Sequence, residues 1–409
     1  MPRATACMRG GVPRFLAKST RQMSVRSIIA RTLLSAWFAA AGSATGTPLP
    51  ASIPQPDAIV ATQLLPHAQK DALRRLTAAA AETDPAQRLV AARRMIELGR
   101  INGDPRTLGY AESILTPWPA DAAETSVDAI VLHATIAQSR HAFSRARALL
   151  DRAIERSKPG EAAFAQALLT HAAIAQATGD LAAARVDCER LFSLAREVAA
   201  ICAASVDAVG GHLETAIPVL RVASERTAAS VRAWALGALA QAHGAAAKAY
   251  EAALGTGDDL TTRLAYADLL LQQGSAATAA RLLQDAPPTD GVVLRKWRSA
   301  RLLGRSDAAA LEARLSMRLE DARRRGDGSD LLHARDWAQF ELERGSIAEA
   351  LRLAHANWRD QREPADLLVL ARAAVAARDS DARAEVAAWM KRTRLQDVRI
   401  EAVLAEVRS

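Results

Sequence analysis

Apolar residues recur at helical spacing almost without interruption from Asp71 to Val407, broken only by short Gly, Asp or Pro punctuation. No stretch alternates as a strand would, so the pattern predicts an all-α chain. Within it one word repeats: a glycine followed five residues later by alanine, at Gly179 and Ala184, Gly211 and Ala216, Gly244 and Ala249, Gly274 and Ala279, Gly304 and Ala309, and Gly345 and Ala350. Seven residues before each glycine stand Ala172, Ala204, Gly237, Ala267, Trp297 and Ala338, small in every case but Trp297. Nine residues after come Cys188, Leu220, Ala253, Leu283, Ala313 and Ala354, all apolar or small. These columns predict helical hairpins. Small residues let two helices cross closely, and glycine permits the tight turn between them. An upstream copy has His141 in the turn with Ala134 and Ala146 in phase, and a poorer one turns at Asp379 with Ala384 in phase.

The unit length is about 34 residues, with the longest interval before Gly345. In period, in the large-small pair of the first helix (Leu236-Gly237, Tyr266-Ala267, His171-Ala172) and in the early alanine of the second, it resembles the tetratricopeptide repeat. Glu341 and Asp207 depart from it by standing where that family is usually apolar. The resemblance implies a right-handed superhelical solenoid of antiparallel helix pairs. It also implies a concave groove lined by the first helices, which holds a protein or peptide partner. Transferred position by position, the lining is Asp128, Gln138, Gln176, Trp234, Gln241, Asp268, Gln272, Arg298, Arg301, Arg335 and Gln339. Neutral amides pair with peptide backbone and Trp234 offers an anchor; for any one of these residues taken singly, a solvated helix face is the first reading. The basic-amide clamp by which some members grip acidic tails is missing, and Arg298, Arg301 and Arg335 form the one basic grouping.

The expected organisation is a signal peptide over 1–44 and a proline-rich linker over 45–70 leading into the first helix. An irregular helical cap over 71–126 follows, then regular repeats over 127–290, and less regular repeats with a C-terminal cap over 291–409. Pro287-Pro288 marks a hinge candidate, and Glu312 to Gly328 reads as a long solvated helix.

Charge changes the picture only at the start. The formal net charge is +8, but residues 1–56 hold seven bases (Arg3, Arg9, Arg14, Lys18, Arg21, Arg26 and Arg31) and no acid before Asp57. The remainder is nearly neutral, and no basic face with interleaved aromatics points to nucleic acid. Arg26 and Arg31, the apolar run Thr32 to Ala41 and the small residues Gly42, Ser43 and Ala44 form a secretory signal, with cleavage expected near Ala44 and Met23 a candidate start. An organellar transit peptide is the alternative. The apolar run is too short to span a membrane, and no cysteine follows it for lipid attachment, so the expectation is a periplasmic or secreted protein with no integral span after cleavage.

Candidate chemistry is sparse. No phosphate-binding loop, H-E-x-x-H pair or G-x-S-x-G elbow occurs, and Gly255-Thr256-Gly257 reads as a turn. No catalytic, cofactor or metal residues are expected. His133 and His171 share a repeat position, which is the sharpest metal idea, but two ligands do not make a site. Cys188 and Cys202 read first as small core residues and second as a bridge between neighbouring helices. The functional expectation is a non-enzymatic scaffold or adaptor of the cell envelope. The alternatives are an accessory protein that binds a metal or small solute, and a repeat-bearing fragment of an enzyme.

Overall fold

The computed structural model describes residues 84–227, 229–243, 247–256, 259–325 and 333–406. The leader, the linker, the start of the cap and Gly244 lie outside them. The described residues are all-helical, with no strand among them. In chain order the helices are α1 (Pro85–Asn102), α2 (Arg106–Leu115), α3 (Val127–Ser139), α4 (Phe143–Arg156), α5 (Ala162–Ala177), α6 (Leu181–Arg190) and α7 (Arg196–Val209). They continue as α8 (Leu213–Arg226), α9 (Ala229–His243), α10 (Ala247–Thr256), α11 (Leu260–Gln272), α12 (Ala276–Leu282) and α13 (Asp290–Leu302). The last are α14 (Ala308–Arg325), α15 (Ala334–Arg344), α16 (Ile347–Asp360), α17 (Pro364–Ala376), α18 (Ser380–Thr393) and α19 (Val398–Ala405). Most pack on their chain neighbours as a series of adjacent pairs, and α19 packs on α17.

One turn closes these pairs. Gly103, Gly179, Gly211, Gly274, Gly304 and Gly345 all have positive φ, as do His141 and Arg378 where no glycine is present. The next residue's N–H then donates to the carbonyl five positions back, as in Asp180 to Ala175 at 2.7 Å and Ser346 to Glu341 at 2.8 Å. This satisfies a carbonyl that the helix end would otherwise leave unpaired. The last unit therefore turns at Arg378, one residue earlier than expected: Asp379 N to Ala374 O is 2.9 Å, and the Asp379 side chain caps α18. Ala384 is accordingly exposed, and Ala382 is the buried residue.

The predicted small columns are core. Ala134, Ala172, Ala204, Ala267 and Ala338 are buried seven before their turns, and Ala146, Ala184, Ala216, Ala279 and Ala350 five after. The exception begins at Trp297, which fills the small position, is 1% exposed and meets Phe340 edge-on at 5.0 Å. With that indole in place α14 packs through Leu315, Leu319 and Ala322, while Ala309 and Ala313 face solvent. The stretch expected to be a solvated helix thus buries one apolar stripe. The two polar departures from the repeat are also accommodated: Asp207 pairs with Arg185, and Glu341 with Arg344 at 2.9 Å.

Cys188 and Cys202 are bridged, with Cα atoms 5.5 Å apart, so the bridge and not the pair of free core thiols is what forms. The bond ties α6 to α7, joining one hairpin to the next.

Distant parts of the chain also meet. Arg362 N donates to Ala177 O at 2.7 Å, Gln361 Nε2 lies 3.0 Å from His141 Nδ1, and Arg100 pairs with Asp259 at 3.0 Å with both side chains buried. The turns at His141, Gly179 and Gly211 therefore rest against α16 to α19, and the turn at Gly103 lies against Leu260 and Thr289.

Candidate functional site

Six first helices of the pairs, α3, α5, α9, α11, α13 and α15, carry the candidate residues, and the structure treats the two halves of this row differently. In the first half the candidates are inside. Gln138, Gln176 and Trp234 are 7%, 3% and 6% exposed. Oε1 of Gln176 and Nε1 of Trp234 have no hydrogen-bond partner among the described residues, which is uncommon for buried polar atoms. Expected as lining residues of an open groove, these three are instead buried against the structure around them. Gln241 lies in α9, and its side chain is outside the described residues. Asp128 faces solvent and reaches Arg93 at 3.5 Å.

In the second half the candidates hold one another. Asp268 on α11 accepts from Arg295 at 2.6 Å and from Arg298 at 3.2 Å, both on α13. Arg298 Nε continues to Glu343 of α15 at 2.6 Å, and Arg301 reaches the same carboxylate at 2.8 Å. Gln339 donates to Glu343 at 2.5 Å. Arg335 turns toward α17 and meets Asp366 at 3.3 Å and Glu363 at 3.7 Å. The three arginines expected to greet a ligand are thus ion-paired across adjacent first helices. Gln272 is exposed, and Arg301, 42% exposed, keeps one edge in solvent while its guanidinium stacks over Trp297 at 4.9 Å.

Burial acts against the charge of Arg295, but the carboxylates of Asp268 and Asp336 outweigh it and hold its pKa above the ordinary value. The same balance holds Asp336 below its ordinary value: burial raises it, while Arg295, Arg335 and His333 lower it further. Glu363 goes the other way. Burial and then the neighbouring Asp366 carboxylate push it up to about 8, with Arg335 opposing. Burial beside a second carboxylate thus favours the protonated form of Glu363.

Two features lay beyond the sequence pattern. Arg372 of α17 stands six residues before the turn at Arg378, the same register as Asp268, Arg298 and Gln339 before theirs. Shifting the last turn by one residue would have found it. The second is a cleft of about 490 Å³ lined by Arg323, Glu341, Arg344, Ser346, Glu349 and Arg352, whose arginines are committed to the two glutamates.

The histidines do not converge. His133 Nε2 bonds the Trp118 carbonyl oxygen at 2.8 Å. His171 Nδ1 lies 2.5 Å from the Asp187 carboxylate and Nε2 3.5 Å from that of Asp151, on opposite sides of the ring. Among the described residues no group of three His, Cys, Asp or Glu side chains is arranged to hold a metal ion. No helix among them is long and apolar enough to cross a membrane. No protein-family model matches the chain, and no curated protein matches it.

Proposed function

We propose that this chain is a non-enzymatic adaptor of the cell envelope, a right-handed superhelical solenoid of the tetratricopeptide type that holds a protein or peptide partner along its first helices. The observation that carries this reading is the turn register. A left-handed residue recurs at 103, 141, 179, 211, 274, 304, 345 and 378, so equivalent positions of successive first helices share one register, which is polar or charged at Asp268, Arg298, Gln339 and Arg372. A repeated hairpin of this kind, with polar side chains recurring on its first helices, suits recognition of an extended segment.

The ion-paired and buried members of that row narrow the contact surface to its accessible edge, which includes Gln272 and Arg301. Export is supported by the Cys188–Cys202 bridge, since such bonds persist in oxidising compartments. The reading is tested by affinity capture from envelope extract with wild type, Gln272→Ala/Arg301→Glu and, as a surface control, Val222→Ser. A partner retained by wild type and control but lost by the double variant supports it, and equal capture by all three removes it.

A further inference from the structure

We propose that the contact between the early turns and the start of α17 is a pH-responsive latch, closed while the buried Glu363 side chain carries its proton and released when that proton is lost. This does not rest on the adaptor reading. It follows from a hydrogen-bonded chain that runs from two buried carboxyls to the contact itself. Glu363 and Asp366, 6% and 2% exposed, approach one nitrogen: Arg335 Nη1 lies 3.3 Å from Asp366 Oδ1 and 3.7 Å from Glu363 Oε2. Asp366 has further donors, for its Oδ1 accepts from Asn357 Nδ2 at 2.9 Å and its Oδ2 from the Glu363 N–H at 3.0 Å. Asn357 Oδ1 in turn lies 3.4 Å from Gln361 Nε2, and the same amide reaches His141 Nδ1 at 3.0 Å. The next residue, Arg362, donates its N–H to Ala177 O at 2.7 Å. Residues 361–363 therefore hold two early turns and place the second carboxyl at once.

The contact is thin. The early helices α3 to α8 meet α16 to α19 through turns and not along helix faces: Gly179 lies against Trp389 and Arg362, and Gly211 against Arg394, Leu395 and Gln396. A small contact of few hydrogen bonds opens before the packed pairs do. Within the cluster the two carboxyls are unequal. Asp366, with donors on both oxygens, keeps the charge, whereas burial and then Asp366 push the Glu363 carboxyl up to about 8 against the opposing Arg335. Arg335 is shared further, since Asp336 faces it from α15. His141 is the other ionisable group in the chain, and α18 and α19, which also pack on α17, bring no charge that acts on Glu363. Loss of the proton leaves a second buried anion on the one guanidinium, and parting residues 361–363 from the early turns lets water reach it. In water the carboxyl returns toward its ordinary 4.5, so the open form binds the proton less tightly than the closed one. The open share therefore rises with pH up to about 8 and levels off above it.

The test uses the full chain carrying Cys7→Ser, with the Cys188–Cys202 bridge intact and spin labels on Ser144→Cys and Arg359→Cys, two exposed positions on either side of the contact. The separation of the labels is read at pH 6 and at pH 9. With Glu363 in place, one short separation is expected at pH 6, and a longer population should grow several-fold by pH 9. Glu363→Gln has no proton to lose and should keep the short separation at both pH values. Should Glu363→Gln disturb the fold, Asp366→Asn leaves Arg335 with one carboxylate of the pair and should likewise abolish the step. The same separation at both pH values with Glu363 in place overturns the proposal. So does a step of equal size in Glu363→Gln, which would assign the opening to His141.

Discussion

The indole of Trp389 lies against the turn at Gly179, so close that a Cβ on that glycine would come within 2.6 Å of the ring. Trp389 is itself held by Trp358, edge-on at 5.0 Å, and by the guanidiniums of Arg362 and Arg392. One side of this contact belongs to the third hairpin, α5–α6, and the other to the last, α17–α18. The turn glycine therefore serves two purposes, left-handed backbone and close approach.

That double role separates two glycine substitutions. Gly274 has φ +74 and nothing within 4 Å of the point where a methyl group would stand, so Gly274→Ala should cost only the left-handed strain, about 1 kcal/mol. Gly179→Ala, at φ +81, adds the collision with Trp389 and should lower Tm further. Trp389→Ala in the Gly179→Ala background should return part of that loss, which a double-mutant cycle followed by thermal melting measures.

The Cys188–Cys202 bridge closes a short loop, with a sequence separation of 14, between α6 and α7. Reduction, or the Cys188→Ala/Cys202→Ala double variant, should lower stability by about 3 kcal/mol. Peptide mapping without reductant should recover the two cysteines in one linked fragment, and denaturant melts with and without reductant give the energy.

Glu363 supplies a pH signature. Its folded value is about 8 against an ordinary 4.5, so the folded state holds the proton more tightly than the unfolded state. Stability contributed by this group is present below 4.5 and is lost as pH rises toward 8. Glu363→Gln mimics the protonated form. Its Tm relative to wild type should improve as pH rises through that window and stop changing above it.

The ion ladder predicts unequal arginine and aspartate variants. Asp268→Ala removes one of two carboxylates from Arg295, which is 6% exposed, and should cost about 3 kcal/mol by leaving that charge underpaired. Arg301→Ala, at an exposed pair, should cost under about 1 kcal/mol. Urea melts of the two variants give the comparison.

The fold was legible where backbone rules leave few choices. Positive φ favours glycine, so the turn column stood out, and close helix crossings need alanine, so the buried columns stood out too. Arg378 and His141 take the same left-handed turn without glycine, and arginine carries no turn signature, which is why the last register was one residue late and Arg372 went unseen. The site was less legible because its pairing is tertiary. Nothing in the spacing of Asp268, Arg298 and Glu343 says that they satisfy one another across three helices. Likewise Gln176 and Trp234 share the register of lining residues, and only the packing of the chain around them makes them interior.

The central claim, that a partner lies along the accessible edge of the first helices, is tested most directly by placing a photocrosslinking amino acid at Gln272 or Arg301, with Phe192 and Val222 as exposed outer controls. Illumination in intact envelopes should give one discrete adduct, identified by mass spectrometry, from the two inner positions and none from the controls. Equal labelling from all four positions, or none from Gln272 and Arg301, would contradict the account.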